Sequence, residues 1–300
     1  MLNTIALETW KRASQNLISL YQLRLHKVLN QSAKHLVFVK GERYEIETIQ
    51  SSTDFYAALK LRRTIEKSNH KLRVGLSDFA LVDDFDIHAD HVMIRDTKTG
   101  HVVGGFRLLS TPYAQTFFNE LIFNIDSIKR QSVAILELSR LFLLPEHNHK
   151  ELMALAARFL SQYCLAAKTE IILSNQSINS GASRSAALVN QYFNSVGLHS
   201  SFFKCQVQDT YQIPNYKHWN NYFKNGLNDG ELIESAALLP TVFRDSLNIG
   251  ATIAAPPGFD RTTNRIDFLT ILHKEDLNRS LWKQSSPHSE LSIEFSYFSQ

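Results

Sequence analysis

Two opposite charges, Glu137 and Arg140, sit in the middle of an almost continuously apolar run, residues 133–145 (VAILELSRLFLLP). A carboxylate in an apolar setting can take a proton from an attacking nucleophile, and a guanidinium can hold an anionic group. Bounded by turn signals, the run reads as a strand buried on both faces. A lone charge is costly there, so each of the two needs a partner or a task. Side chains alternate along a strand, so residues three apart point to opposite faces. If Glu137 and Arg140 act on the same side, a β-bulge must lie between them, and bulges cluster beside active sites. The plainer alternative is a Glu137–Arg140 ion pair that only braces the bulge.

Other polar groups precede this strand. Asp83, Asp86 and Asp90, with Asp84 and His91, form the densest acidic patch. Without a second ligand group, such a cluster is weak evidence for a metal, and none is assigned. Gly104 and Gly105 interrupt a second strand just before Arg107. Glycine weakens a strand unless a bulge or a closely approaching ligand backbone requires it.

The elements that must position these residues alternate between the two periods. Residues 1–32 have helical spacing, and Lys11, Arg12, Arg24, Lys27, Lys34 and Lys40 make the first forty residues basic. The segment reads as a helix packed on its own domain, with an amphipathic arm touching a membrane surface or an acidic protein as the alternative. Residues 35–49 alternate as a hairpin around Gly41, and 51–54 cap a helix running to about 68. Residues 91–95 and 101–109 are two strands about a turn at 96–100. After the central strand come a helix (151–167), a strand (169–174), a helix (185–196) and a strand (199–208). Residues 212–228 read as loop, 236–248 as helix and 265–272 as strand. The alternation indicates an α/β fold with a mixed sheet. The division expected is a basic helical arm (1–40), one domain (41–275) and a polar tail (276–300), frayed over its last twenty or so residues.

Bulk composition excludes little but points one way. Thirty-two Lys and Arg against 29 Asp and Glu give +3, too balanced to argue for nucleic acid. Cys164 and Cys205 are the only cysteines, both in apolar surroundings, which suits buried thiols in a reducing compartment. No apolar run approaches the ~20 residues of a membrane span, and residues 1–20 lack signal-peptide order. A cytoplasmic location, with contact at the inner membrane face through residues 1–40 as a further option, is the expectation.

Three segments in order, residues 83–91 (DDFDIHADH), 102–111 (VVGGFRLLST) and 137–140 (ELSR), resemble the N-acyltransferase branch of the GNAT superfamily. That branch holds the hemolysin-like ornithine-lipid N-acyltransferases, the N-acyl amino acid synthases and the acyl-homoserine lactone synthases. The resemblance covers residues 45–170, and pieces of 238–269 are similar to the tail of the ornithine-lipid branch. It implies a twisted mixed sheet that splits beside a bulged strand, with the pantetheine arm of a thioester donor lying in the split. It also implies Glu137 as general base, and Arg140, Arg107, Arg62, Asp83, Asp86 and Asp90 around the substrate. Asp86 and Asp90 would face a cationic side chain, and Arg140 the carboxylate of an amino acid. Gly104, Gly105, Phe106, Phe142 and Leu143 would receive the donor and its acyl chain.

No metal or redox cofactor is implied; the acyl thioester is a co-substrate. Acetyl-CoA-using relatives follow this strand with a glycine-rich turn that holds pyrophosphate, whereas residues 146–150 (EHNHK) contain no glycine. That favours acyl-carrier protein over CoA as donor, with Lys129, Arg130, Lys150 and Arg158 to receive an acidic partner. Two departures leave the amine open. Glu66 stands where the lactone synthases carry an aromatic residue, and residues 175–195 read as an ordinary GNAT helix start. A lactone synthase, or a module that binds an acyl ligand without turnover, are the alternatives.

Overall fold

The computed structural model describes residues 2–30, 32–69, 82–111, 113–147, 149–178 and 180–285. The chain divides into two compact units, residues 1–109 with 140–155, and residues 110–139 with 156–300.

In the first unit, helix α1 (Leu2–Leu29) precedes a hairpin of β1 (Phe38–Lys40) and β2 (Tyr44–Thr48), paired with Val39 opposite Ile46. Strict alternation buries Val39, Tyr44, Ile46 and Thr48, as the period of two predicts. Helix α2 (Ser52–Asn69) starts where the polar cluster predicted, with Ser51 Oγ accepting from the Asp54 N–H at 3.0 Å. Strands β3 (Asp90–Asp96) and β4 (Val102–Ser110) pair antiparallel about a turn in which Gly100 has φ +72°.

The last turns of α1 pack on this unit. Val28 joins Phe55, Leu59 and Val82 in one apolar cluster, with Tyr21, Leu25 and Leu29 against it. That is the packed-helix reading of the N-terminal segment for its described side chains. The side chains of residues 1–14, on which much of the alternative reading falls, lie outside the described residues.

The second unit opens with β5 (Phe123–Asn124) and α3 (Asp126–Lys129). The apolar run forms β6 (Ile135–Leu143), which leaves this unit after Ser139. Then follow α4 (His149–Ala166), β7 (Ile171–Ile178) and α5 (Ser183–Ser195). Strand β6 pairs parallel with β7, the arrangement a strand–helix–strand crossover dictates.

Three expectations are corrected downstream. Residues 199–208 are not a continuous strand. Only β8 (Gln206–Val207), paired with β5, and a bridge from His199 to Ile253 form, and Phe202 is 79% exposed. The stretch read as loop contains α6 (Tyr216–Tyr222), seated against α5 through Trp219 and Phe223. The single helix expected at 236–248 is two, α7 (Asp229–Ala237) and α8 (Thr241–Asn248), because Pro240 cannot continue the first.

Two short strands, β9 (Thr252–Ile253) and β10 (Gly258–Asp260), flank β11 (Arg265–His273), which runs antiparallel to the whole of β7. Helix α9 (Lys274–Ser285) follows, and residues 286–300, most of the tail expected to fray, lie outside the described residues. Phe193, Phe243 and Phe268 form a ring-on-ring core at centroid distances of 5.3–5.9 Å. The fold is thus mixed α/β, with mostly antiparallel strands flanked by helices.

The glycine pair in β4 meets a close neighbour, and the neighbour is the chain itself. A Cβ on Gly105 would lie 2.4 Å from the Val92 carbonyl oxygen and 2.8 Å from Phe142 Cζ; one on Gly104 would lie 2.8 Å from both the Phe142 carbonyl oxygen and Leu143 Cδ1. Backbone cannot yield as a flexible side chain can. Gly105→Ala is therefore expected to lower unfolding free energy by about 2–3 kcal/mol, read from urea denaturation midpoints at unchanged slope.

Candidate active site

Glu137 is completely buried on β6. Its Oε2 accepts from the backbone N–H of Asn119 at 2.7 Å and from the Asn119 side-chain amide at 2.9 Å. Asn119 is itself buried, at the start of a 3-10 helix, Phe118–Leu121, and its Oδ1 has no hydrogen-bond partner among the described residues. Sequence reading missed Asn119, since a lone Asn in a turn carries no signal of its own.

The pairing of β6 with β7 ends one step past Glu137. Glu137 is opposite Leu173, and Leu138 opposite Ser174 is the last pair. Arg140 then takes φ +55°, a left-handed conformation that costs a non-glycine residue about 1–2 kcal/mol. This is the break in alternation that parity required if Glu137 and Arg140 share a side. Strand β7 continues to Ile178, paired with β11 on its other edge. Among the described residues, 175–178 therefore have no strand partner on the edge that β6 occupies as far as Ser174. Residues 174–177 turn half-buried over the same stretch.

Register places Glu137, Leu173, Asn175, Ser177 and Asp267 on one face of this unit's strands, because Ser177 is opposite Asp267 and Leu173 is opposite Glu137. Asp267 is 3% exposed and accepts from Ser177 Oγ. Burial pushes its carboxyl up to about 6, against the opposing hydrogen bonds from Ser177 and Asn175.

The first unit gathers most of the other predicted residues. Arg107, with 1% of its side chain exposed, donates through Nη1 to Asp83 at 2.6 Å and to Asp86 at 3.1 Å. Asp83 also accepts from Arg140 Nη2 at 2.8 Å, so one carboxylate bridges two guanidiniums. Arg62 lies 3.3 Å from Glu66, which is 4.0 Å from Arg140. Asp83 and Asp86 cap the 3-10 helix Asp84–Ile87 reciprocally.

Burial works to raise the Asp86 carboxyl, but Arg107, His91, Arg62 and the Asp83 N–H outweigh it and hold it below the carboxylate range. Burial lowers His91, whose Nε2 lies 3.2 Å from the Asp86 carbonyl oxygen, so its ring stays neutral at pH 7. Three guanidiniums thus face three carboxylates in a compensated cluster.

Phe106 and Phe142 line a small cavity of about 20 Å³ together with Arg62, Arg107 and Arg140. That volume holds about one water. Asp90 is placed differently: its oxygens accept from the backbone N–H groups of Lys34 and His35 at 2.8 and 2.9 Å, bracing the chain ahead of β1. Among the described residues, no group of three or more His, Cys, Asp or Glu is placed to hold a metal ion. No helix among them is long and apolar enough to cross a membrane.

Two consequences can be measured. Asp86→Asn leaves buried Arg107 with half its charge compensation, and a stability loss of about 3 kcal/mol is expected in chemical denaturation. Asp267 gives a pH signature. Its folded pKa of about 6 lies above the ordinary 3.8, so the native state binds more protons between those values. Unfolding free energy should fall as pH rises from 4 to 6, by about 3 kcal/mol from this group. Asp267→Asn should flatten that part of the melting-temperature profile.

Residues 62–158 match the family model described as an acetyltransferase (GNAT) domain. No curated protein is matched. Solved structures that resemble the chain include FeeM, an N-acyl amino acid synthase from uncultured soil microbes, at 10% identity and TM-score 0.43, covering 79% of this chain and 94% of that one. The acyl-homoserine lactone synthase LasI stands at 13% identity and TM-score 0.42, covering 80% and 90%. An aminoglycoside 6'-N-acetyltransferase complexed with coenzyme A stands at 11% and 0.43, covering 76% and 96%. With its domain match over residues 62–158, the chain is an acyltransferase with a GNAT fold.

Proposed function

We propose that this acyltransferase moves a fatty acyl group from an acyl-carrier-protein thioester, or its CoA counterpart, to the amine of an amino acid. The product is an N-acyl amino acid or a lyso-ornithine-lipid-like amide. The observation that carries the reading is Glu137, buried on the last paired residues of β6 and held by Asn119, beside the stretch of β7 where pairing stops.

The free amine attacks the thioester carbonyl carbon, the C–S bond breaks, and the thiol leaves. Glu137 accepts the proton the nitrogen loses, directly or through water, and the thiolate is protonated in turn. Asn119 fixes the carboxylate through its backbone N–H and its side-chain amide. The unpaired edge at 175–178 offers backbone donors and acceptors to the amides of a pantetheine arm. Ser177 and Asp267 extend the polar row beyond Glu137.

The charged cluster serves mainly as scaffold, since Asp83 ties Arg107 to Arg140 and so secures the kinked residue. Arg140, 24% exposed, is the cation in it most open to a substrate carboxylate. Gly104 and Gly105 contribute by letting Phe142 and Leu143 close in, with Phe106 beside them. A carrier protein is favoured as donor because the turn before α4 has no glycine, and Glu146 there would repel a pyrophosphate. Exposed Lys150 and Arg158 suit an acidic partner, whereas Lys129 is engaged by Glu120 at 3.0 Å.

Thiol release from decanoyl-carrier protein on adding single amino acids or ornithine is the test. Release with one of them supports the reading. Consumption of S-adenosylmethionine would move it to lactone synthesis, and silence with every amine would overturn it. Glu137→Gln should lower turnover about 100-fold with the fold intact; full activity in that variant would leave the carboxylate a brace.

A further inference from the structure

Strand β1 is an outer edge of the first unit, and the reaction above uses none of it. Among the described residues it pairs with β2 alone. The Thr48 N–H donates to the Val37 carbonyl and the Gly41 N–H to the Tyr44 carbonyl, so the ladder bonds fall on Val37, Val39 and Gly41. The backbone N–H and C=O groups of Phe38 and Lys40 therefore point away from β2. Among the described residues no hydrogen bond reaches them.

The side chains along this edge are also open. Residues 36–40 alternate between exposed and buried, and the exposed ones are Leu36, at 65%, Phe38, at 54%, and Lys40. Edge strands are ordinarily blunted by brevity, a proline, a bulge or charge. Strand β1 is short and ends on one lysine, but it holds no proline and its register with β2 does not shift. An unpaired backbone edge carrying two large apolar side chains is a template for another strand.

The residues themselves select which strand. A two-fold axis through the edge joins two copies antiparallel, and only outward-pointing residues can bond across it. Centring the axis on Lys40 sets two ammonium groups directly opposite, which is destabilising. Centring it on Val39 sets each Phe38 against a lysine. Centring it on Phe38 pairs the two rings and places each Lys40 opposite the other copy's Leu36, along its aliphatic stem. Beyond the strand, exposed Glu42 then comes level with the other copy's Lys34, whose Nζ also donates to the Ala89 carbonyl. Shape and charge are thus self-complementary in one register.

We propose that two copies of this chain associate through β1, antiparallel about Phe38. One short strand per copy is a small contact, so the dissociation constant is expected on the order of 100 μM. The pairing rests on no reading of the reaction.

Sedimentation velocity on the full chain, from about 1 μM to 1 mM, tests this. The average mass should rise from the monomer value toward twice it. Phe38→Lys, which puts a charge on the axis, should weaken association about tenfold or more at an unchanged melting temperature. A second measurement needs no change at Phe38. Cys164 and Cys205 are buried, so a nitroxide can be placed on Lys40→Cys alone. Two such labels should lie about 14 Å apart, four strand positions along the pair, and broaden each other's spectrum as concentration rises. Monomers at every concentration, association untouched by Phe38→Lys, or a dimer without that broadening would each overturn the proposal.

Discussion

A carboxylate with no exposed surface, set inside an apolar strand, is the constraint that the second unit is arranged around. Glu137 cannot be buried there without donors, and two N–H groups from Asn119 supply them to a single oxygen. The neighbouring residues 115–121 must therefore fold against this point on the strand, in a short 3-10 turn rather than an extended connection. The same strand must also stop pairing with β7 soon after the carboxylate. An unbroken parallel ladder would cover the edge at 175–178. The left-handed Arg140, two residues beyond the last pair, changes the course of the backbone.

That conformation is unfavourable for arginine, and what compensates it lies in the first unit. Asp83 accepts from Arg140 and Arg107 together, and is itself held by its reciprocal cap with Asp86. A carboxylate shared between two guanidiniums resists loss of either bond singly, since release of one cation strengthens the field on the other. Asp86, Arg62 and Glu66 then settle the remaining charge. The cluster so described is an electrostatic clamp whose members are mostly spent on one another. Charges of this density near a reaction site do not by themselves read substrate.

Much of this was legible in the residue pattern, and the reasons differ by element. The hairpin at 38–48 and the cap at 51–54 are local: alternation and N-cap chemistry decide them without help from the rest of the chain. A break between Glu137 and Arg140 was expected from parity only on the condition that the two act on one side. What parity could not say is how the break is made, and a left-handed arginine is not a choice that composition reveals. Asn119 was invisible because its role depends on a turn bringing it to a strand eighteen residues on. Residues 199–228 were misread for a similar reason. Their apolar side chains alternate or cluster for contacts with α5 and Ile253, so tertiary packing, not local periodicity, decides their form. The glycine pair was read as facing a closely approaching ligand, but a sequence cannot show that Phe142 of the same chain lies there.

The polar row on the second unit's strands gives the molecule a direction. Glu137 sits where the ladder is still closed, Asn175 and Ser177 where one edge is open, and Asp267 at the far end, opposite Ser177. The two acids are unlike in their surroundings. Glu137 receives two amide donors on one oxygen, which favour an acceptor. Asp267 is pushed up to about 6 by burial, so near neutrality it exchanges a proton readily. The row thus runs from a fixed acceptor to a group that titrates near neutrality. Ser177 between them donates its hydroxyl to Asp267. Removing the Ser177 hydroxyl would break the row without touching Glu137. Because Asp267 is protonated below about 6, any effect of that variant on it should appear as pH rises through that value.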